Sequence, residues 1–396
     1  MKLLINAESL APPLTGIGNY TYNLLNALQD MTEIEQIACF DGYRLSGAER
    51  TLARCLATSD STLVQQAEST LAANQPTSLK DRLRRSSLAY QAREALRNYA
   101  LRVAARNKQH FVYHEPSFIL KAHRGPCVAT IHDLSFLRYP QFHPPKRVEW
   151  LVRQLPETLE RADAIITDSE CIRQELIETY GIAPTDITAI HLGVSHRYSP
   201  QSRDTSQPIL DRYGLSHGDY LLFVGTLEPR KGLDTLLDAW ARIPARLQSA
   251  FPLILAGAPG WNNDALQNRI RQACADSTLK HLSFVPEPDL AALYSGAALL
   301  ISPSLYEGFG LPVLEAMACG TPTLCTAGTS MAEFSEGASA LFAQGDALQL
   351  ADRIEHLLEN AEVRADLSRK GLERASELTW ERCARQTYAV YSRLAL

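Results

Sequence analysis

Two glutamates stand eight positions apart in the stretch Leu305-Tyr306-Glu307-Gly308-Phe309-Gly310-Leu311-Pro312-Val313-Leu314-Glu315, one on each side of a glycine-loosened loop. An ionised carboxylate accepts hydrogen bonds from both hydroxyls of a cis diol, so one glutamate could hold a ribose and the other a sugar. The apolar run Ala298-Leu299-Leu300-Ile301 precedes the loop and Pro312 suits the first turn of a helix after it. Backbone N–H groups at such a helix start receive an anion, which makes the loop fit for a diphosphate.

A second stretch, Phe223-Val224-Gly225-Thr226-Leu227-Glu228-Pro229-Arg230-Lys231-Gly232, also joins an apolar run to an amphipathic one. The adjacent cations Arg230 and Lys231 could neutralise a diphosphate and stabilise it as it departs. Near the N-terminus, Gly16-Ile17-Gly18 begins like a dinucleotide fingerprint, but Thr21 stands where the third glycine belongs. That counts against NAD or FAD, yet still lets a backbone approach phosphates or a sugar closely. His132 closes the run Val128 to Ile131, where it could donate a hydrogen bond to a sugar hydroxyl, and His114-Glu115 ends Phe111 to Tyr113 in the same way. Taken singly, each motif also reads as an ordinary turn, a wet surface loop or a structural histidine.

What must position these residues is an alternation of short apolar runs with helical patterns. In the C-terminal half, Tyr220 to Val224, Leu253 to Ala256, Leu282 to Val285, Ala298 to Ile301 and Thr323 to Cys325 alternate with amphipathic segments such as Leu233 to Trp240 and Val313 to Cys319. The N-terminal half repeats this more weakly with Leu3 to Ile5, Ile37 to Phe40, Phe111 to Tyr113, Val128 to Ile131 and Ala164 to Thr167. Such alternation makes parallel βαβ units, so the class is α/β, with two Rossmann-like, doubly wound domains and ligands at the carboxyl edges of the strands. At 396 residues the chain has room for both domains. The turn-rich segment Ser199 to Pro208 is expected as the junction, giving an N-terminal domain over 1–199 and a C-terminal domain over 209–378.

With 45% hydrophobic and 21% charged residues and a net charge of −5, the composition is that of a globular protein with no call for nucleic acid. No run is long enough for a membrane span or a signal peptide, so a cytoplasmic location is expected. The eight cysteines show neither C-x-x-C nor zinc-like spacing, and there is no Asp-x-Asp pair to hold a metal-bound diphosphate. One segment departs from the average: Lys80 to Lys108 carries Arg82, Arg84, Arg85, Arg93, Arg97, Arg102 and Arg106, with Leu88, Leu96, Tyr99 and Val103 at roughly helical spacing. It reads as a basic amphipathic helix, either a solvated face or a docking surface for anionic lipid or a lipid-diphosphate acceptor.

Together these motifs resemble the retaining glycosyltransferases of family 4, which have the GT-B fold of two Rossmann-like domains facing a central cleft. The resemblance spans nearly the whole chain and rests on Gly16-Ile17-Gly18, His132-Asp133-Leu134-Ser135, Val224-Gly225-Thr226 with Arg230-Lys231-Gly232, and Glu307-Gly308-Phe309-Gly310-Leu311-Pro312 with Glu315-Ala316. It implies that the N-terminal domain binds the acceptor and that 379–396 is the helix crossing back to it. It further implies Glu307, His132, Arg230 and Lys231 as catalytic residues. Donor binding would fall to Gly16, Gly18, Gly225, Arg230, Lys231, Val285, Pro286, Phe309, Gly310, Leu311 and Glu315, with Glu307 near the sugar, Glu315 on the ribose and the base near Phe284-Val285-Pro286. No metal and no cofactor beyond a nucleotide-sugar donor is implied. The run from His132 to Pro140 with His114-Glu115-Pro116 looks like mannosyl- or rhamnosyl-type transferases of bacterial surface polysaccharide, which favours GDP-mannose or a GDP-6-deoxy-sugar and a glycan or lipid-diphosphate-linked glycan acceptor. The rival readings are a UDP-sugar transferase, a nucleotide-sugar 2-epimerase of the same fold, a Rossmann oxidoreductase and a non-catalytic nucleotide-sugar sensor.

Overall fold

The computed structural model describes residues 1–12, 14–57, 87–260, 264–276 and 278–395. It contains two sheets. The first is built from β1 (Lys2–Asn6), β2 (Gln36–Phe40), β3 (Leu45–Gly47), β4 (Val112–Glu115), β5 (Cys127–Ile131), β6 (Ala164–Thr167) and β7 (Ile187–Ala189), in the order β3-β2-β1-β4-β5-β6-β7. All its pairs are parallel except β2 with the short edge strand β3. The second contains β8 (Leu221–Val224), β9 (Leu253–Ala256), β10 (Leu279–Leu282), β11 (Leu299–Ser302), β12 (Thr323–Thr326) and β13 (Ala340–Phe342), all parallel, in the order β10-β9-β8-β11-β12-β13. Runs such as Leu221-Leu222-Phe223 and Leu299-Leu300-Ile301 are apolar throughout because helices cover both faces of the sheet, and these side chains are almost wholly buried.

The strand order reverses direction at β1/β4 in the first sheet and at β8/β11 in the second. Crevices at such switch points are where open parallel sheets take ligands. The loops leaving β5 and β11 meet each other, so the two carboxyl edges face across a cleft: a Cβ built on Gly308 would lie 2.0 Å from the carbonyl oxygen of His132.

The segment expected to be an irregular junction contains a helix, Arg203–Leu210, whose cap is Ser202 Oγ accepting from the Thr205 N–H. Arg203, Asp204 and Thr205 of this helix face solvent, so it shows little apolar periodicity, and Ser206 and Leu210 are the residues it buries. At the far end, the helix Trp380–Leu394 leaves the second sheet and packs on the Gly16–Gln29 helix of the first. Its buried face includes Cys383, Ala384, Val390 and Tyr391, and Trp380 meets Tyr20 edge-on with 6.1 Å between ring centres. Burying side chains of this size is worth about 1.5–3 kcal/mol each.

Of the basic segment, a helix over Ser87–Ala104 is described, whereas Arg82, Arg84 and Arg85 lie outside the described residues. Leu101 and Ala105 are buried against the domain. Arg97 is turned inward onto Glu8 at 2.7 Å and Glu94 at 3.2 Å. The apolar residues Leu96, Tyr99 and Val103 point to solvent, 54%, 65% and 56% exposed. Among the described residues, no helix is long and apolar enough to cross a membrane.

Candidate active site

Because β8 and β11 are neighbours, the loops that follow them lie side by side. Arg230 and Lys231 sit on a single turn, Pro229–Lys231, after β8, and the Leu305 N–H donates to the Arg230 carbonyl at 2.9 Å. Gly232 ends that turn at φ +69°, with no room for a Cβ, which would lie 1.9 Å from the Pro303 carbonyl oxygen. The two loops are thus fixed backbone to backbone, and their side chains converge. Lys231 Nζ donates to Glu307 Oε1 at 2.5 Å, Arg230 Nη1 to Oε2 at 3.3 Å and Ser304 Oγ to Oε1 at 2.7 Å. Arg230 also donates to Glu228 and to the Tyr306 carbonyl.

Burial alone would raise the pKa of Glu307, but Lys231 and Arg230 outweigh it and hold the carboxyl at about 2. Glu307 is therefore a permanent anion at neutral pH, and it rests on the two cations whose sequence position suits a diphosphate. An incoming diphosphate would compete with this internal carboxylate for them.

The rest of the loop is pinned from beneath. Ser330 Oγ donates to the carbonyls of Glu307 and Phe309, and Phe309 is buried, stacked on Phe334 with ring centres 4.4 Å apart. Gly310, at φ +107°, starts the helix Leu311–Ala318, with Pro312 in its first turn. Glu315, on that helix, accepts from Tyr294 Oη at 2.7 Å. Burial, opposed by this hydroxyl and reinforced by Glu287, pushes Glu315 up to about 7. The two glutamates thus have opposite environments, one charge-neutralised and one desolvated. Val285 and Pro286 follow β10 and lead into the helix Glu287–Gly296, which carries Tyr294, so they lie on the Glu315 side. Gly225 directly follows β8, and a Cβ on it would come 3.9 Å from Lys231 Cε.

From the opposite domain, Ile17, in the first turn of the Gly16–Gln29 helix, lines the same cavity as Arg230 and His132. Gly16 has open space around it; Gly18 is packed against the Ser9 carbonyl and Leu14. His132 is in the cleft wall, but its two ring nitrogens are engaged: Nδ1–H donates to Asp168 Oδ2 and Nε2–H to the Pro116 carbonyl, both at 2.8 Å. Burial disfavours the imidazolium, yet Asp168 and the carbonyl raise the pKa. The expected hydrogen bond from His132 to a sugar hydroxyl therefore lacks a spare N–H in this geometry. His114 does not reach the cleft at all. It is fully buried between Thr130 Oγ1 at 2.8 Å and Tyr391 Oη at 2.6 Å, and burial pushes its pKa down to about 3. Its role is to seat the helix Trp380–Leu394.

Partners that sequence reasoning missed are Asp168, Ser304, Tyr294 and Tyr306. Tyr306 bridges the domains, donating to Glu175 Oε2 at 2.6 Å and accepting from the Leu134 N–H at 2.8 Å. Glu333 does the same, accepting from the Glu170 and Cys171 N–H groups, where it meets the positive end of the Glu170–Tyr180 helix, and from His191. Among the described residues, no group of three or more His, Cys, Asp or Glu converges as a metal would need.

Comparison with known proteins agrees with this geometry. The glycosyltransferase family 4 model matches residues 14–198, and the glycosyl transferases group 1 model matches residues 212–374. The O-antigen chain mannosyltransferase B of Escherichia coli is 32% identical over 394 residues, covering all of both chains. A serotype-specific mannosyltransferase, WbdA of Escherichia coli, is 31% identical over 280 residues, which is 67% of this chain and 33% of that protein. The crystal structure of Anabaena HepE in complex with UDP and glucose superposes with a TM-score of 0.70 at 19% identity over 100% of both chains. WaaG, a glycosyltransferase involved in lipopolysaccharide biosynthesis, superposes with a TM-score of 0.67 at 14% identity over 98% of this chain and 99% of that one. These two likenesses carry the fold, which is GT-B. With a full-length relative above the 30% level and a family model on each domain, the chain belongs to the family 4 glycosyltransferases.

Proposed function

We propose that this glycosyltransferase moves mannose, or a 6-deoxy relative such as rhamnose, from a GDP-sugar to a growing glycan or lipid-linked acceptor in the synthesis of lipopolysaccharide O-antigen or exopolysaccharide. The carrying observation is the cluster of Glu307, Arg230 and Lys231 at the carboxyl edge of the second sheet. The choice of sugar and glycan is supported by Escherichia coli relatives whose names are those of mannosyltransferases.

In this reading the diphosphate displaces Glu307 from the two cations, and the freed carboxylate accepts hydroxyls of the donor sugar. Glu315, beside Tyr294, takes the ribose diol. The acceptor oxygen bonds to C1 on the face that the diphosphate leaves; the C1–O electron pair stays with the phosphate, and that phosphate oxygen takes the acceptor's proton. Configuration is retained, no side chain becomes covalently attached, and no metal is required because Arg230 and Lys231 carry the charge. Each such contact to a developing anion is worth about 2.7–4 kcal/mol. His132, held between Asp168 and the Pro116 carbonyl, forms part of the wall of the same cleft.

The acceptor side lies in the N-terminal domain, where the helix Ser87–Ala104 presents Leu96, Tyr99 and Val103 outward beside the exposed Arg102 and Arg106. We read this face as resting on an anionic membrane, each arginine near such a surface adding about 1 kcal/mol. The protein would then be peripheral on the cytoplasmic side of the inner membrane. The test is a panel of GDP-, UDP- and TDP-sugars scored for thermal stabilisation and turnover. GDP-mannose or a GDP-6-deoxy-sugar should stand alone in both; turnover confined to a UDP-sugar would overturn the donor assignment.

A further inference from the structure

A second cavity, of about 240 Å³, belongs to the first domain alone, since every residue that lines it comes from that domain. It lies between the helix Ser87–Ala104 and the helix Pro145–Arg161, over the stretch Ile119 to Ala122 that returns from β4 to β5. The second of these helices runs from the cleft to this pocket: Arg147 and Leu151 line the cavity that holds Arg230 and His132, whereas Gln154 and Thr158 line this one. At about 1.5 Å per residue the step from Arg147 to Gln154 covers about 10 Å, more than one sugar ring spans.

The floor is tied to both helices. The Leu120 N–H donates to Thr158 Oγ1 at 3.0 Å, the Ala122 N–H to Asn98 Oδ1 at 2.9 Å and Arg161 Nη2 to the Lys121 carbonyl at 3.1 Å. The pocket is therefore shaped before any ligand arrives. Its charges are largely spent within the wall: the buried Lys121 rests on Glu94 at 3.0 Å and Glu8 at 3.2 Å, and Arg161 lies 3.4 Å from Glu157. The groups left for a ligand are two amides, one guanidinium and an indole face. Asn98 uses Oδ1 on Ala122, which leaves its Nδ2 donors; the half-buried Gln154 brings donors and an acceptor, and the exposed Arg102 a planar fork of donors. The half-buried Trp150 supplies a flat apolar surface. Planar hydrogen-bonding groups around an aromatic face match a pyranose, which has apolar C–H faces and hydroxyls at its edge.

We infer that this pocket is a second glycan site outside the cleft: it holds a sugar some units back from the reacting end of the acceptor chain, with Trp150 against its C–H face and Asn98, Gln154 and Arg102 on its hydroxyls. The inference rests on the transferase reading above, which brings a glycan to this domain. Its consequence is sensitivity to chain length. A short acceptor is held by the cleft alone, whereas a longer one is held at two points of one rigid domain, so the second contact is made at a high effective concentration. Because Gln154 and Trp150 are remote from the bond that forms, this added grip lowers the acceptor KM and leaves kcat unchanged.

The test uses the full chain and the variants Gln154→Ala, Trp150→Ala and Trp150→Phe, with methyl α-mannoside and α-linked manno-oligosaccharides of increasing length as acceptors. In the wild type the acceptor KM should fall about tenfold or more from the shortest to the longest. Gln154→Ala and Trp150→Ala should lose most of that fall, with kcat, donor KM and the KM for methyl α-mannoside unchanged, and Trp150→Phe, which keeps an aromatic face, should recover part of it. Saturation-transfer NMR reads the pocket without turnover: transfer to internal sugars of the longest oligosaccharide should be strong in the wild type and weak in Gln154→Ala. A wild-type KM that ignores length, or variants that raise the KM for short and long acceptors alike, overturns the site. So does loss of binding to phosphatidylglycerol vesicles in Gln154→Ala with oligosaccharide KM unchanged, which would make the pocket a lipid contact. A chain inert towards every GDP- and UDP-sugar, with the NMR contrast intact, overturns the transferase reading and leaves the glycan site standing.

Discussion

Replacing Gly308 by alanine tests whether the contact between the two carboxyl edges is part of catalysis. The added Cβ would lie 2.0 Å from the His132 carbonyl oxygen and 2.9 Å from its carbon, far inside the roughly 3.5–4.0 Å at which carbon atoms are in contact. Both obstacles are backbone atoms of the other domain, so no rotamer can relieve them. The backbone at 308 does not have a positive φ, so alanine itself is unstrained there. The cost falls on the approach of the domains, and overpacking of this kind costs about 1–3 kcal/mol. The Ser169 hydroxyl, which donates to the Gly308 carbonyl at 2.9 Å, would be pulled away as well. Neither sheet's core is touched, so opening the cleft is the cheapest relief. We expect kcat/KM to fall about 5- to 150-fold, with little change in melting temperature and a larger radius of gyration in small-angle scattering. Gly47→Ala, on the edge strand β3 with nothing within 4 Å of the new methyl, is the control. Wild-type kcat/KM in Gly308→Ala, or a loss fully explained by unfolding, would refute the reasoning.

Arg230→Ala and Lys231→Ala should each lower kcat by about 10²–10³, more than they weaken folding; undiminished turnover in both on the correct donor contradicts the diphosphate assignment. Glu315, held by burial at about 7, should ionise between pH 6 and 8, so donor KM should fall as pH rises through that window and stay flat in Glu315→Gln. Because its folded pKa is raised from 4.5, the same group's contribution to stability is greatest below about 4.5 and declines as pH rises towards 7, a trend that chemical unfolding at several pH values will register. Treatment with EDTA should leave activity intact; complete loss restored by Mg²⁺ or Mn²⁺ would reject the metal-free reading. Tyr99→Glu with Val103→Glu, both at exposed positions, should abolish sedimentation with anionic vesicles while transfer to a soluble acceptor persists, and vesicle binding that survives the change returns the helix to a solvated face.

Strands β1, β8, β9 and β11 were legible because parallel strands buried on both faces read as continuous apolar runs. The three-residue strands β3, β7 and β13 are too short to give such a run, and the Arg203–Leu210 helix carries Pro208 and mostly polar side chains. The convergence of Arg230, Lys231 and Glu307 could be anticipated from their place after strands of one sheet. What composition and spacing could not convey was who neutralises whom. Glu307 and Lys231 are 76 positions apart, and His132 and Asp168 are 36 apart. Such pairs exist because β8 lies beside β11 and β5 beside β6, and adjacency is a property of topology rather than of local pattern. His114 misled for the same reason: its position at a strand end resembles that of His132, but the helix Trp380–Leu394 covers it.

That helix also sets the order in which the molecule can be completed during synthesis. The first sheet ends at Ala189, yet Tyr20 and His114 acquire their partners Trp380 and Tyr391 from a segment made some 200 residues later. At the usual 5–20 residues per second, a ribosome takes about 10–40 s to cover that distance. Throughout this interval the N-terminal domain carries an uncovered apolar face on the Gly16–Gln29 helix, and the His114 imidazole in its core keeps Thr130 but lacks its second partner, Tyr391. That face stays exposed to solvent until the second domain and the helix after it have emerged. A ribosome stalled before residue 380 leaves the first domain unfinished, however complete its own strands.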